Sequence, residues 1–159
     1  MDTGWLDQQV ESIKQGDARA RHREEVRLHD ARVIESQAPQ FWDDLIASLE
    51  EYAAALNERL SGQIEHRITL THGKGRNFSL VAGPMSIHCG LDVLGRKIKF
   101  SSTGGCPVIG GRPITDSCLV TFDVGTNGFR VNFGSRFLQG VEELAKDIIG
   151  FAAEQCVRT

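Results

Sequence analysis

No apolar run in the 159-residue chain approaches the roughly 18–20 residues of a membrane span. The opening MDTGWLDQQVESIKQ has no basic segment leading into an apolar one, so no secretory signal is read there and a cytoplasmic location is expected. Cysteine is scarce. Cys89, Cys106, Cys118 and Cys156 are widely spaced and form no CxxC pair, which points to free thiols rather than a disulfide framework. There is no internal repeat and no low-complexity tract. No GxSxG, HExxH, paired-carboxylate or phosphate-loop signature occurs. Asp123 and His88 are expected to share the outward face of a sheet, but no positioned nucleophile accompanies them. The chain is therefore read as non-enzymatic and without a cofactor.

With glycine counted as apolar, about half of the residues are apolar, the usual share for a folded domain, and the length suits one domain with an appendage. Charge is uneven. Residues 1–62 hold 13 acidic and 7 basic side chains, and residues 63–159 hold 8 and 11. Net charge thus runs from −6 to +3, and the periodicity changes at the same place. The first part is expected to be helical and the second an antiparallel sheet with a final helix, an α+β chain divided at residues 1–62 and 63–159.

Residues 4–35 are rich in charge and carry only a thin apolar stripe: Trp5, Leu6, Val10, Ile13, then Val26, Leu28, Val33 and Ile34. Such a helix cannot bury itself deeply; it projects or packs on a partner. Gly16 could mark a break. Ser36-Gln37-Ala38-Pro39 reads as a breaker, with Pro39 at the first position of a second helix ending near Gly62. Phe41, Trp42, Leu45, Leu49, Tyr52 and Leu56 give that helix a wide apolar face. The two helices are predicted to form a hairpin.

From residue 64 the hydrophobic period is two, and six strands alternate. Phe78 and Leu80, Ile87 and Cys89, Ile98 and Phe100, Val120 and Phe122, and Val131 and Phe133 fall inward; Lys97, Lys99 and Arg130 fall outward. Short turns, among them one containing Asn127-Gly128, require antiparallel neighbours. A last helix over about 137–156 presents Leu138, Val141, Leu144, Ala145, Ile148 and Ala152 to one sheet face.

His66, His72, His88, Cys89 and Cys118 lack the convergent spacing of a metal site; His88 and Cys89 point to opposite faces. The Gly-rich stretch 102–113, with Cys106 and Arg112, is long for a hairpin connection and reads most simply as a mobile edge loop.

Three functions follow as expectations. The first is a non-enzymatic interaction protein, self-associating or partner-binding, whose contact residues are Phe41, Trp42, Leu45, Leu49, Tyr52 and Leu56. The second is a module for a small apolar or anionic ligand between sheet and final helix. Core-facing Met85, Ile87, Phe100 and Phe122 would line it, with Arg67, His88, Lys97, Lys99, Arg112 and Arg130 as its polar ligand-binding residues. The third is nucleic-acid binding through the basic sheet face. It is disfavoured, because base-stacking sheets carry aromatics beside the basic residues, whereas Phe100 opposes Lys97 and Lys99 and Phe129 opposes Arg130.

Overall fold

A computed structural model of the protein describes residues 1–60, 67–104, 108–109, 112–113 and 120–157. The chain begins with one helix, α1 (Thr3–Arg59), of 57 residues and about 85 Å. Asp2 caps it, its carboxylate accepting the Trp5 N–H at 3.0 Å. The predicted hairpin is not formed: Gly16 makes no break, and the helix continues through Pro39. The reason is packing. Ile34, Ala38, Trp42, Leu45, Leu49 and Ala53 recur every three or four residues on both sides of the proline, and all are buried. A break at residue 39 would rotate part of this stripe away from the sheet. The carbonyl that loses its donor, that of Glu35, belongs to an exposed residue and can turn to water.

Seven strands follow in a mixed-length antiparallel sheet. Those at its ends and in its middle are β1 (Thr69–His72), β2 (Asn77–Ala82), β3 (Met85–Asp92), β4 (Lys97–Thr103), β7 (Val120–Gly125), β8 (Gly128–Phe133) and β9 (Arg136–Phe137), neighbours in that order. The two short strands β5 (Val108–Ile109) and β6 (Arg112–Pro113) pair with each other instead, inside the Gly-rich stretch. The sheet is the expected meander with one further edge strand. Arg136 and Phe137 belong to that strand, so the last helix, α2 (Val141–Val157), starts later than its apolar spacing suggests. Gly83, at φ +58°, leads the two-residue turn between β2 and β3 that the fixed φ of Pro84 completes.

Alternation holds along every long strand. Phe78, Leu80, Ile87, Cys89, Ile98, Phe100, Val120, Phe122, Val131 and Phe133 are buried. The second half of α1 and all of α2 cover this one face, so residues 34–53 and the sheet share one core. Trp42 reaches Phe78 of β2 with ring centroids 5.3 Å apart. Asn57, near the end of α1, holds both backbone groups of Ile68 just before β1: its Nδ2 donates to the Ile68 carbonyl at 2.8 Å, and its Oδ1 accepts the Ile68 N–H at 2.9 Å. That pair fixes where the chain leaves the helix and joins the sheet.

Candidate functional site

Among the described residues, two surfaces lack a covering element: the opposite face of the sheet and the first half of α1. On the sheet, strand register arranges the side chains in rows. Ser79, His88 and Ser101 form one row across β2, β3 and β4; Asn77, Gly90 and Lys99 form the next; Asp92 and Lys97 form the third. Gly90 contributes no side chain at the centre. The result is a depression of about 680 Å³ lined by these residues.

Its polar groups are partly organised. Ser79 Oγ and His88 Nδ1 share a hydrogen bond of 2.7 Å, leaving Nε2 of the imidazole outside that contact. The Asp92 carboxylate accepts the Gly95 N–H at 2.9 Å and faces the Lys99 ammonium at 3.6 Å. The Gly95 hydrogen bond, aided by Lys99 and Lys97, holds the Asp92 carboxyl below the usual carboxylate range. Lys97 and Lys99 share this one carboxylate within the depression, so its fixed charge is positive.

Farther across the sheet, Asp123 and Arg130 stand directly opposite one another on β7 and β8. Arg130 binds both carboxylate oxygens, at 2.7 and 2.8 Å, and lies 4.9 Å from the centre of the Phe137 ring. The Arg130 hydrogen bonds lower the Asp123 carboxyl below its ordinary range. At neutral pH Asp123→Asn is expected to cost about 0.5 kcal/mol, a small figure because both side chains are about 40% exposed. A depressed folded-state pKa means that this contribution is complete above the unfolded value of about 3.9 and disappears as pH falls through the lower folded value. Urea midpoints of wild type and variant should differ at pH 7 and converge near pH 2. A difference that persisted in acid would show that the pair is not its source.

Of the residues singled out from sequence, His88, Lys97 and Lys99 come together around the depression. Arg130 is apart from them and committed to Asp123, and Arg67 is exposed just ahead of β1. The Arg112 side chain, His66, Cys106 and Cys118 lie outside the described residues, as do residues 105–107, 110 and 111 of the Gly-rich stretch. His72 pairs with Glu50 of α1 at 2.7 Å. Burial pushes the Cys89 thiol up, which keeps it protonated and unreactive. No cluster of three or more metal-ligating side chains occurs among the described residues. Met85, Ile87, Phe100 and Phe122 are packed in the core, none more than 6% exposed.

Sequence reasoning missed Asn77, Ser79, Ser101 and Asp92 as members of the site. The available signal was Gly90, a glycine inside an otherwise alternating strand, since such a glycine often marks a close approach.

The six contact residues expected on the second helix face inward. Trp42, Leu45 and Leu49 are buried, and Phe41, Tyr52 and Leu56 are half-buried against the core. The part of the helix that no described residue covers is its beginning. Residues 1–29 are all exposed, among them Trp5, Leu6, Val10, Ile13, Val26 and Leu28. No helix among the described residues is long and apolar enough to cross a membrane. No family model matches the chain, and no match is found among curated proteins or solved structures.

Proposed function

We propose that the protein is a self-associating interaction protein, and that two copies pair through the first half of α1 in antiparallel orientation. The observation that carries this reading is the exposure of every residue from 1 to 29 in a helix whose second half is docked. Helices in proteins owe most of their stability to an apolar face packed on something. Leu6, Val10 and Ile13 form such a face, at spacings of four and three, and nothing among the described residues covers it.

Charge selects the occupant and its direction. Residues 2–17 carry Asp2, Asp7, Glu11 and Asp17 against Lys14, a net of −3. Residues 18–33 carry Arg19, Arg21, Arg23, Arg27 and Arg32 against Glu24, Glu25 and Asp30, a net of +2. Parallel pairing sets each half against its like. Antiparallel pairing sets the acidic half on the basic one, with Leu6 opposite Leu28, Asp7 opposite Arg27 and Glu11 opposite Arg23. Asp17 then meets its own copy, with Lys14 and Arg21 one turn away on the same helix, and Val10 and Ile13 fall opposite Glu24 and Arg21, whose aliphatic stems are what they pack on.

Sedimentation velocity of the full chain tests the proposal. Wild type should be a dimer at micromolar concentration. Val10→Asp with Ile13→Asp, at exposed positions that leave the fold intact, should weaken association at least tenfold. Asp7→Arg with Glu11→Arg should also weaken it, and adding Arg23→Glu with Arg27→Glu should restore it. A monomeric wild type, or a dimer indifferent to the Val10 and Ile13 changes, overturns self-association. A dimer that loses only to the apolar substitutions, and not to the first charge reversal, overturns the antiparallel orientation.

A further inference from the structure

We infer that the depression centred on Gly90 is a binding site for a small hydroxylated organic anion, a molecule with a phosphate or carboxylate at one end and hydroxyl groups at the other. This site is independent of the pairing of α1.

Gly90 carries the argument. It sits inside β3, where glycine weakens a strand relative to a residue with a side chain. Its backbone is ordinary for a strand; it is not among the residues with positive φ. Conformation therefore does not call for glycine here, and space does. A Cβ at this position would come to 2.5 Å from Oδ1 of Asn77, whose Nδ2 is tied to the Lys74 carbonyl at 2.7 Å. The Asn77 amide therefore takes the place of a side chain over Gly90, and the depression beside it is ringed by seven polar side chains: Asn77 and Lys99 in the row of Gly90, Ser79, His88 and Ser101 on one side, Asp92 and Lys97 on the other.

The ring is chemically graded. Lys97 and Lys99 lie two residues apart on one strand face, about 6.6 Å between Cα atoms, a separation that lets two ammonium groups converge on one oxyanion. Their nearest carboxylate, Asp92, is 3.6 Å from Lys99 and does not neutralise both. On the other side the groups are neutral hydrogen-bonding ones. Ser101 supplies a hydroxyl, Asn77 its Oδ1, and His88 the Nε2 that its bond to Ser79 leaves directed elsewhere. These suit hydroxyl groups, and Asp92, held ionised, accepts one more. A volume of about 680 Å³ exceeds the needs of a bare ion and falls within the range of small-molecule sites.

The probes are inorganic phosphate, ribose 5-phosphate and gluconate, titrated into the full-length protein and followed by amide chemical shifts and calorimetry. Ribose 5-phosphate distinguishes a phosphate end from the carboxylate end that gluconate supplies. At least one of the two organic anions should bind at least tenfold more tightly than inorganic phosphate, and the shifts should centre on His88, Gly90 and Ser101. Lys97→Gln with Lys99→Gln should weaken that binding at least tenfold. Both side chains stand on the uncovered face, and an unchanged thermal midpoint confirms the fold. Ser79→Ala should weaken it by a smaller factor, through loss of the His88 orientation. Shifts that are absent, that centre elsewhere, or that survive the double lysine change overturn the site. Binding of inorganic phosphate with no advantage to either organic anion overturns the hydroxyl-recognising half of the proposal.

Discussion

Phe122→Ala is expected to destabilise the fold by about 3–5 kcal/mol, the largest effect of any single substitution considered. Phe122 is 2% exposed and stands where three parts of the core meet. Its ring meets Phe41 of α1 edge-on at 5.8 Å and stacks on Phe129 of β8 at 5.6 Å. Truncation removes apolar contact on both sides and leaves a cavity that neither a helix nor a sheet can close by itself. Aromatic pairs add about 0.5–1.5 kcal/mol beyond the area they bury, so Phe122→Leu should recover only part of the loss. Urea unfolding by circular dichroism reads the effect as a lower midpoint. Because the ring links α1 to the sheet, loss of helix and loss of sheet signal should coincide. If the sheet signal were kept while that of α1 fell, the helix and sheet would not share one cooperative core.

The sequence disclosed most of this core and little of the site. Strand alternation could be read because each long strand is covered on one face and uncovered on the other. Phe100, Phe122 and Phe133 are inside, and Lys99 and Arg130 are on the other side, as the period of two required. Antiparallel pairing within β1–β4 and within β7–β9 was legible for the same local reason, because short turns join those neighbours in space; the strand order was left open, and the β4–β7 pairing spans a long connection that carries no such signal. The hairpin of α1 was misread because breaker chemistry at Ser36–Pro39 is a local signal, whereas the buried stripe from Ile34 to Ala53 is satisfied by a distant sheet. The expected contact residues Trp42, Leu45 and Leu49 were recognised as an apolar face, but periodicity does not say whether such a face meets a partner or the same chain's own strands.

The depression at Gly90 was illegible for another reason. Its members come from three strands, and their convergence depends on register: Asn77 beside Gly90, Gly90 beside Lys99, Ser79 beside His88. Alternation gives the face on which a residue lies but not its cross-strand neighbour. Lys97, Lys99 and His88 could be named as outward and polar without any sign that they surround one gap. Arg130, equally outward, is drawn off by Asp123, a pairing that likewise depends on register.

Pro39→Ala is expected to stabilise the protein by about 2 kcal/mol. Inside a helix proline is about 3 kcal/mol less favourable than alanine, because it offers no N–H to the carbonyl four residues back and its ring crowds that carbonyl. Alanine gives the unfolded chain back some freedom, which offsets about 0.4–1 kcal/mol of the gain. The helix tolerates the proline because Ile34 and Ala38 before it, and Trp42 and Leu45 after it, are at most 4% exposed on one face. Pro39 also lies near the start of the docked stretch, after buried Ile34 and Ala38, so it influences the direction in which the exposed residues before it leave the sheet. A raised urea midpoint with unchanged self-association would mean that a straight helix docks and pairs equally well. A raised midpoint with weakened self-association would assign Pro39 a role in aiming the exposed half at its partner copy. A midpoint unchanged or lowered would mean that the sheet is shaped to a helix bent at this position, and that the stripe from Ile34 to Ala53 fits it only in that form.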